Sequence, residues 1–591
     1  MPQRIAVVDR ERCKPDKSGE PCVKVCPVNR QDEKCIWVAN EMTGNENVSF
    51  AHIDESLCIG CGLCVKKCPF HAITVINLAE ELKESPVHVY GSNMFRLYRL
   101  PIPLEGKIVG LLGPNGVGKT TALKILSSQM KPNMGNYNEI VSWNDVIENF
   151  RGSELHLFLE RLSNSDIKVS YKPQEISFIP NLYSGKVLKI LKNTDRKLLK
   201  DLEIEELMDQ DISKLSGGEL QRISIAACLS KEADLYCLDE PGSFCDIRHR
   251  VNISKIIRKF TETKNKPVLI VEHDLGMLDM LCDNIHILYG ASGAYGIVSY
   301  MKTTRKGIND YLEGFLPEEN VRMRQDKISF AEAMPEYDEG RVLFRFPEMK
   351  KRYEKFSLSV SQGMIHQKEV IGVLGANALG KTTFLRLIAG IEKPSEGAIE
   401  SRLKIAYKEQ HPKSEYKGTV EDFLSMHTKY FSEEWFRNQI LYSLHMNPLM
   451  DKIVKNLSGG EMQKLAIAHV LGSDADLIVL DEPSAYIDIE SRWELAKIIR
   501  TIIKMREVSA FVVDHDIQFI DFISDKILLF RGKSGVSGQA IGPLEKKRGM
   551  NEFMKYLDIT YRRDSQTKQP RINKPGSQKD QEQKAQGKYY Y

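Results

Sequence analysis

The sequence predicts an α/β protein: two matched halves behind a small cysteine-rich α+β domain. Three observations carry the prediction. The segment Leu215 to Arg222 (LSGGELQR) returns as Leu457 to Lys464 (LSGGEMQK). A glycine-rich loop directly after a short apolar strand also occurs twice. Eight of the 12 cysteines lie before residue 70.

At 591 residues the chain has room for about four domains. Its net charge of +3 is small for that length, so any basic surface is local. No run approaches the roughly 20 apolar residues of a membrane span. The opening MPQRIAVVDRER carries charge where a signal peptide needs an apolar centre. The expectation is a soluble, cytosolic, monomeric protein that makes no membrane contact, whose clustered cysteines bind metal and form no disulfides.

The cysteine-rich start comes first. Cys58, Cys61, Cys64 and Cys68, followed by Pro69, form C-x2-C-x2-C-x3-C-P, the bacterial ferredoxin run whose fourth cysteine serves the other of two iron–sulfur clusters. A zinc knuckle would more often show two pairs separated by a longer loop. Cys13, Cys22 and Cys26, with Pro27 after the last, are the partner run, and Cys26 is predicted to join Cys58, Cys61 and Cys64. That leaves Cys13, Cys22 and Cys68 for the other cluster, one ligand short.

The two halves follow. Ile108 to Leu112 reads as an apolar strand entering GPNGVGKTT, in which Gly113, Asn115, Gly116, Gly118, Lys119, Thr120 and Thr121 make a P-loop. Its backbone N–H groups cradle phosphate, its lysine reaches the terminal phosphates and its hydroxyl meets magnesium. Val370 to Leu374 enters GANALGKTT, with Gly375, Asn377, Gly380, Lys381, Thr382 and Thr383 in the same places. Ala378 replaces Gly116 and restricts that second loop. Two further apolar strands end in Asp239-Glu240 and Asp481-Glu482, carboxylate pairs suited to holding magnesium through the aspartate and orienting water with the glutamate.

Each LSGGE segment reads as a helix N-terminus, with Ser216 or Ser458 at its mouth and Gly218 or Gly460 behind it, and such a terminus favours anions. The spacing excludes coincidence. Ser216 to Ser458, Glu240 to Glu482 and His273 to His515 are all offset by 242. Lys119 to Lys381 is offset by 262, so the first half carries 20 more residues before its LSGGE segment. Lys119 to Gln174 spans 55 positions and Lys381 to Gln410 only 29, which puts an insertion of 26 before Gln174. Trp143 to Leu162 reads as that insertion, a helix-loop-helix whose Trp143, Phe150, Leu157 and Phe158 suggest a docking surface.

These residues together resemble the tandem ATP-binding cassette proteins. The cysteine domain, the insertion and the ending narrow the resemblance to the E subfamily, the ribosome-recycling ATPases also called RNase L inhibitors, over essentially the whole chain. Departures are Ala378, Lys464 where arginine is usual, Gly242 to Asp246 (GSFCD) against Ser484 to Asp488 (SAYID), and Ser18 where the family has a cysteine. Ser18 or Cys35 is then the eighth cluster ligand.

The resemblance implies two cassettes head to tail behind a ferredoxin-like domain, with ATP, Mg2+ and two 4Fe–4S clusters as cofactors. The implied boundaries are 1–80 for the cluster domain, 81–300 and 331–540 for the cassettes, 301–330 for a hinge, and 541–591 for a second hinge segment and basic tail. Site one would use Lys119, Thr120, Gln174, Asp239, Glu240 and His273 with Ser458 and Gly460. Site two would use Lys381, Thr382, Gln410, Asp481, Glu482 and His515 with Ser216 and Gly218. Thr120, Gln174, Thr382 and Gln410 would help hold magnesium. Glu240 and Glu482 would position water, with the histidines on the γ-phosphate. Tyr90 and Phe95 stack on adenine or pair in the core.

The implied function is ATP-driven splitting of ribosomes after termination or rescue, with a release factor or its paralogue. The chain then stays on the small subunit, with initiation factors as further partners. Arg562 to Tyr591 holds eight lysines or arginines against three acidic residues, a tail that is solvated or contacts ribosomal RNA. An ATP-driven redox enzyme and a transporter's soluble ATPase are the alternatives.

Overall fold

The computed structural model describes residues 4–591 apart from 11, 44–45, 78–83, 193, 329–339, 400–402, 486 and 565–566. The expected domain boundaries at 80/81 and 330/331 lie outside the described residues. The chain forms two compact units. One comprises Met1–Pro241, Ile257–His273 and Cys282–Gln325; the other comprises Gly242–Ile256, Asp274–Leu281 and Asp326–Tyr591.

Each unit holds one large sheet with the same strand order. In the first it runs His88–Val89, Arg96–Tyr98, Tyr295–Val298, Asn284–Ala291, Ile108–Leu112, Val268–Val271, Leu235–Asp239, Val169–Lys172. In the second it runs Met349–Arg352, Ser357–Val360, Ser537–Glu545, Lys526–Lys533, Val370–Leu374, Ser509–Val513, Leu477–Asp481, Ile405–Lys408. The strand before each P-loop pairs parallel with both of its neighbours. Every residue of Ile108–Leu112 and Val370–Leu374 is buried, which is why these strands read as unbroken apolar runs. The loops that bear function therefore leave the carboxyl ends of parallel strands, where open α/β sheets place their ligands.

The cysteine domain has two antiparallel pairs, Arg4–Val8 with Ile73–Asn77 and Ile36–Thr43 with Glu46–Ile53. Their inner faces supply Ala6, Val8, Ile36, Ala51, Ile53 and Ile73 to a core shared with buried cysteines. Within its unit this domain is fastened by Asn93. The side-chain amide donates to the carbonyls of Ala6 and Ile53, both at 3.0 Å, and its oxygen accepts from Ile53 N at 2.8 Å. Arg96 adds an ion pair to Glu55 at 2.7 Å.

The insertion is a helix-loop-helix, Trp143–Asn149 and His156–Ser163. Its surface differs from expectation. Trp143, Phe150 and Phe158 pack against the core of the first half, where Val146, Leu159 and Leu162 are buried; only Leu157, 68% exposed, faces outward. The aromatics are there to seat the insertion on its own domain.

The two hinge segments contain matched helices, Thr304–Glu313 and Lys546–Leu557. Gly307 and Gly549 let them approach the sheet: a Cβ on Gly307 would stand 2.5 Å from Ile285, and one on Gly549 would stand 2.5 Å from Ile527. Both pairs keep the offset of 242. Gly549→Ala is expected to lower stability by about 1–3 kcal/mol by overpacking, measured as the midpoint of denaturant unfolding.

The last residues are not a solvated tail. Tyr561–Arg563 pairs with Pro570–Ile572, and Gln578–Ala585 is a helix. Arg571 is buried, Lys584 pairs with Asp558 at 2.8 Å, and the Tyr591 hydroxyl donates to Asp521 at 2.8 Å. Composition suggested exposure because it counts charges without their partners.

Candidate functional site

At both P-loops the lysine is buried and folded back on the loop. Lys119 Nζ donates to the carbonyls of Gly113 (2.7 Å) and Pro114 (2.6 Å); Lys381 Nζ donates to those of Gly375 (2.6 Å) and Ala376 (3.1 Å). The loop is thus a ring of backbone dipoles with one cation in it, the arrangement that receives a polyphosphate. Gly116 has φ +77° and Ala378 has φ +56°, so the second loop keeps the left-handed turn with a side chain that costs about 1–2 kcal/mol there.

Beside each loop lies the acidic strand end. Thr382 Oγ1 donates to Asp481 at 2.8 Å; in the first half Thr120 lies beside Asp239, whose Oδ2 accepts from the Tyr171 hydroxyl at 3.4 Å. Burial, with Glu240 alongside, pushes Asp239 up to about 6, and burial raises Asp481 in the same way. A buried carboxylate beside a threonine hydroxyl is a donor set that could hold magnesium.

The glutamates are held by the same partners in both halves. Gln174 Nε2 lies 2.8 Å from Glu240 Oε1, and His273 Nε2 lies 3.4 Å from that oxygen. Gln410 lies 2.7 Å and His515 3.0 Å from Glu482 Oε1. Burial opposes the charge of Glu482, but His515, Lys381 and Gln410 outweigh it and hold the carboxyl down at about 2. The backbones of Glu240 and Glu482 sit at φ +48° and +49°. Their carbonyls are fixed by Gln221 and Gln463 from the LSGGE helices, each at 2.6 Å.

Three further sets of residues emerge from the structure. Lys172 and Lys408, both buried, donate to the carbonyls of the aspartates, each at 2.7 Å, locking the Gln strand to the strand that ends in Asp-Glu. The shared Tyr-Lys-x-Gln sequence was the available signal. Tyr90 and Phe95 do meet at the first P-loop, where the Tyr90 hydroxyl is 3.1 Å from Thr121 Oγ1 and Phe95 lies against Gly118. Tyr353 and Phe356 repeat this beside Thr383 and Gly380, with ring centroids 6.4 Å apart. Their offsets, 263 and 261, straddle the P-loop offset of 262. In the second unit Asp246, from the divergent GSFCD run, accepts from Asn377 N of the P-loop at 2.7 Å.

Ser216 and Ser458 cap their helices through reciprocal bonds with Glu219 and Glu461. Ser216 Oγ lies 2.7 Å from Glu219 Oε2, so each signature serine is oriented within its own helix.

The cysteines fall into two groups. Cys26, Cys58, Cys61 and Cys64 line one pocket. Burial and then the neighbouring thiol of Cys58 push Cys64 up to about 11. Cys13, Cys22 and Cys68 are mutual neighbours, and burial with the Cys68 and Cys13 charges pushes Cys22 up to about 11. Thiols that repel one another as thiolates suit a shared cationic core. Among the described residues no group of three or more His, Cys, Asp or Glu is set to hold a single metal ion. The four-thiol pocket fits a multi-iron cluster. Cys35 belongs with the first group: it lines the same pocket beside Cys26 and Cys58. It does not complete the second.

Comparison with known proteins agrees with this geometry. The ABC transporter family matches residues 104–243 and 358–485, a 4Fe-4S binding domain matches 51–74, and a possible Fer4-like domain of RNase L inhibitor matches 3–34. These matches imply ATP with magnesium at the cassettes and 4Fe–4S chemistry in the cysteine domain. An uncharacterized ABC transporter ATP-binding protein of Methanocaldococcus jannaschii is 45% identical over 601 residues, covering 100% of this chain and 97% of the relative. A model of ribosome-bound archaeal Pelota and ABCE1 matches with TM-score 0.92 and 46% identity, over 100% of this chain and 99% of that one. The crystal structure of archaeal ribosomal stalk protein aP1 with the ribosome recycling factor aABCE1 matches with TM-score 0.82 and 46% identity, over 86% of this chain and 99% of that one. No described helix is long and apolar enough to cross a membrane. The chain belongs to the E family of ATP-binding cassette proteins, the RNase L inhibitor family.

Proposed function

We propose that this chain is a cytoplasmic ribosome-recycling ATPase that uses two composite nucleotide sites to split ribosomes, together with a release or rescue factor, and then remains on the small subunit. The observation that carries the coupling is Asp246 against Asn377 N: a carboxylate from the first half is built into the phosphate loop of the second. Ser216 and Gly218 then complete the site of Lys381, and Ser458 and Gly460 that of Lys119. Each nucleotide gains contacts to both halves only when they close, so its binding free energy shifts the equilibrium toward closure. The two relatives that are described with Pelota on the ribosome and with a ribosomal stalk protein support the choice of partner.

Within each site the roles follow from position. Lys119 and Lys381 neutralise terminal phosphates. Thr120 with Asp239, and Thr382 with Asp481, hold magnesium alongside Gln174 and Gln410. Glu240 and Glu482 orient water, with His273 and His515 on the γ-phosphate. Tyr90 and Phe95 stack on one adenine, and Tyr353 and Phe356 on the other. Two 4Fe–4S clusters brace the N-terminal domain, which is too small to be stiff on its own core.

Asn93 lies between Tyr90 and Phe95, so the loop that would feel adenine also fastens the cluster domain. Asn93→Ala leaves buried Ala6 and Ile53 groups unpaired and is expected to cost about 2–3 kcal/mol locally. Hydrogen exchange at residues 5–8 and 51–53 rises sharply, and splitting slows while ATP turnover persists. Equal losses of both would break the link.

The whole reading is tested by incubating the purified chain with ribosomes, a release factor and ATP, then sedimenting. Free subunits that depend on ATP, with the chain on the small one, are expected. A chain that hydrolyses ATP yet never co-sediments with ribosomal subunits in a non-hydrolysable analogue overturns it.

A further inference from the structure

The iron–sulfur reading of the cysteine domain is the premise here. We propose that the cluster on Cys13, Cys22 and Cys68 has only three thiolate ligands. Its fourth iron sits on oxygen and departs on one-electron oxidation, while the cluster on Cys26, Cys58, Cys61 and Cys64 keeps all its irons.

Of the 12 cysteines, Cys228, Cys237, Cys245 and Cys282 are buried in the nucleotide-binding halves and play no part. Of the remaining eight, Cys26, Cys58, Cys61 and Cys64 line one pocket. Cys35 is 2% exposed, lines the same pocket beside Cys26 and Cys58, and its thiol donates to the Asp54 carbonyl at 3.9 Å. It is turned to the group that already has four thiols.

The other group therefore ends with three. Their sulfurs are prepared as ligands: Cys13 Sγ accepts from Ala51 N and Cys68 Sγ accepts from Ala72 N, both at 3.4 Å. Ser18 lies on the segment that joins Cys13 to Cys22, at the end of the helix Pro15–Ser18. Its hydroxyl donates to the Pro15 carbonyl at 3.3 Å. Serine oxygen is a harder ligand than thiolate, gives up its proton far less readily, and binds cluster iron more weakly. The fourth iron accordingly rests on Ser18 or on water and is the weakest-held of the eight.

The step balances without breaking a thiolate bond. A one-electron oxidant such as ferricyanide takes one electron from [4Fe–4S]2+. The resulting [4Fe–4S]3+ releases the oxygen-held iron as Fe2+ and leaves [3Fe–4S]+, with charge +3 on each side and all four sulfides retained. Ferrous iron with a one-electron reductant reverses it.

The test uses the full chain, purified without oxygen and titrated with ferricyanide. The expected result is the EPR signal of a three-iron cluster at one spin per chain, with one iron lost and no sulfide lost. Ser18→Cys abolishes both changes. Cys35→Ala leaves both in place, and Ser18→Ala keeps the signal. Full iron retention without the three-iron signal overturns the inference, as does loss of the signal in Cys35→Ala. A chain that takes up neither iron nor sulfide overturns the iron–sulfur premise instead, so the two failures are told apart.

Discussion

Replacing Glu240 and Glu482 together by glutamine lowers ATP turnover by about 10²–10⁴-fold and leaves the protein bound to the small ribosomal subunit. Glutamine keeps the shape of the side chain and an oxygen for Gln174 or Gln410, but it has no charge with which to polarise water. The substitution is conservative for folding, because the backbone at these positions is fixed from outside the side chain. Lys172 and Gln221 hold the Glu240 carbonyl, and Lys408 and Gln463 hold that of Glu482. The low pKa of Glu482, about 2, keeps it ionised across the working pH range, so the loss comes from missing charge and not from altered titration. Nucleotide binding stays near normal, and the closed state accumulates because reopening needs hydrolysis. Single-turnover assays and sedimentation with subunits check both halves of this outcome; a double variant that turns over ATP at the normal rate removes Glu240 and Glu482 from the mechanism. Either single variant slows one site only, which reveals how unequal the two sites are.

Most of this machinery was legible because its chemistry is local. A P-loop, an Asp-Glu strand end and an LSGGE helix cap are each set by a few consecutive residues, and the constant offset of 242 showed that they belong to one repeated unit. The gathering of Gln174, Glu240 and His273 was readable for the same reason, since each sits at the end of a parallel strand. What escaped was decided across the fold. Tyr353 and Phe356 lie on a loop one residue out of register with Tyr90 and Phe95, so strict offset arithmetic passes over them. Asp246 looked like part of a divergent turn until its carboxylate was found on Asn377. Trp143, Phe150 and Phe158 have the composition of an exposed docking face, yet they cover their own core. Sequence also offered Cys35 as the missing ligand of the Cys13, Cys22 and Cys68 group, whereas the fold seats it beside Cys26 and Cys58.

The C-terminal segment illustrates the same limit and yields the largest expected loss of stability. Arg571 is one of eight cations that sequence would leave in water, yet its side chain is 2% exposed. Its Nε donates to Asp279 Oδ2 at 2.8 Å, its Nη2 donates to the other oxygen of Asp279, and its Nη1 lies 3.5 Å from Asp564. Burial pushes the Asp279 carboxyl up, and the guanidinium works against that push. Arg571→Ala therefore takes the guanidinium from buried Asp279, and breaking such a pair from one side costs about 3–5 kcal/mol. The loss appears in denaturant unfolding and as rapid hydrogen exchange in residues 559–591 and 275–281. Arg571→Met combined with Asp279→Leu recovers part of it, because an apolar pair of similar volume leaves one fewer charge uncompensated. Asp279 lies in the helix Leu275–Leu281, which begins two residues after His273, so loosening Arg571 also slows turnover at the site of Glu240. An Arg571→Ala protein with unchanged unfolding midpoint and unchanged exchange in 275–281 would sink this account of the C-terminal segment. Restored stability without restored turnover in the double variant would separate holding the helix in place from merely burying it.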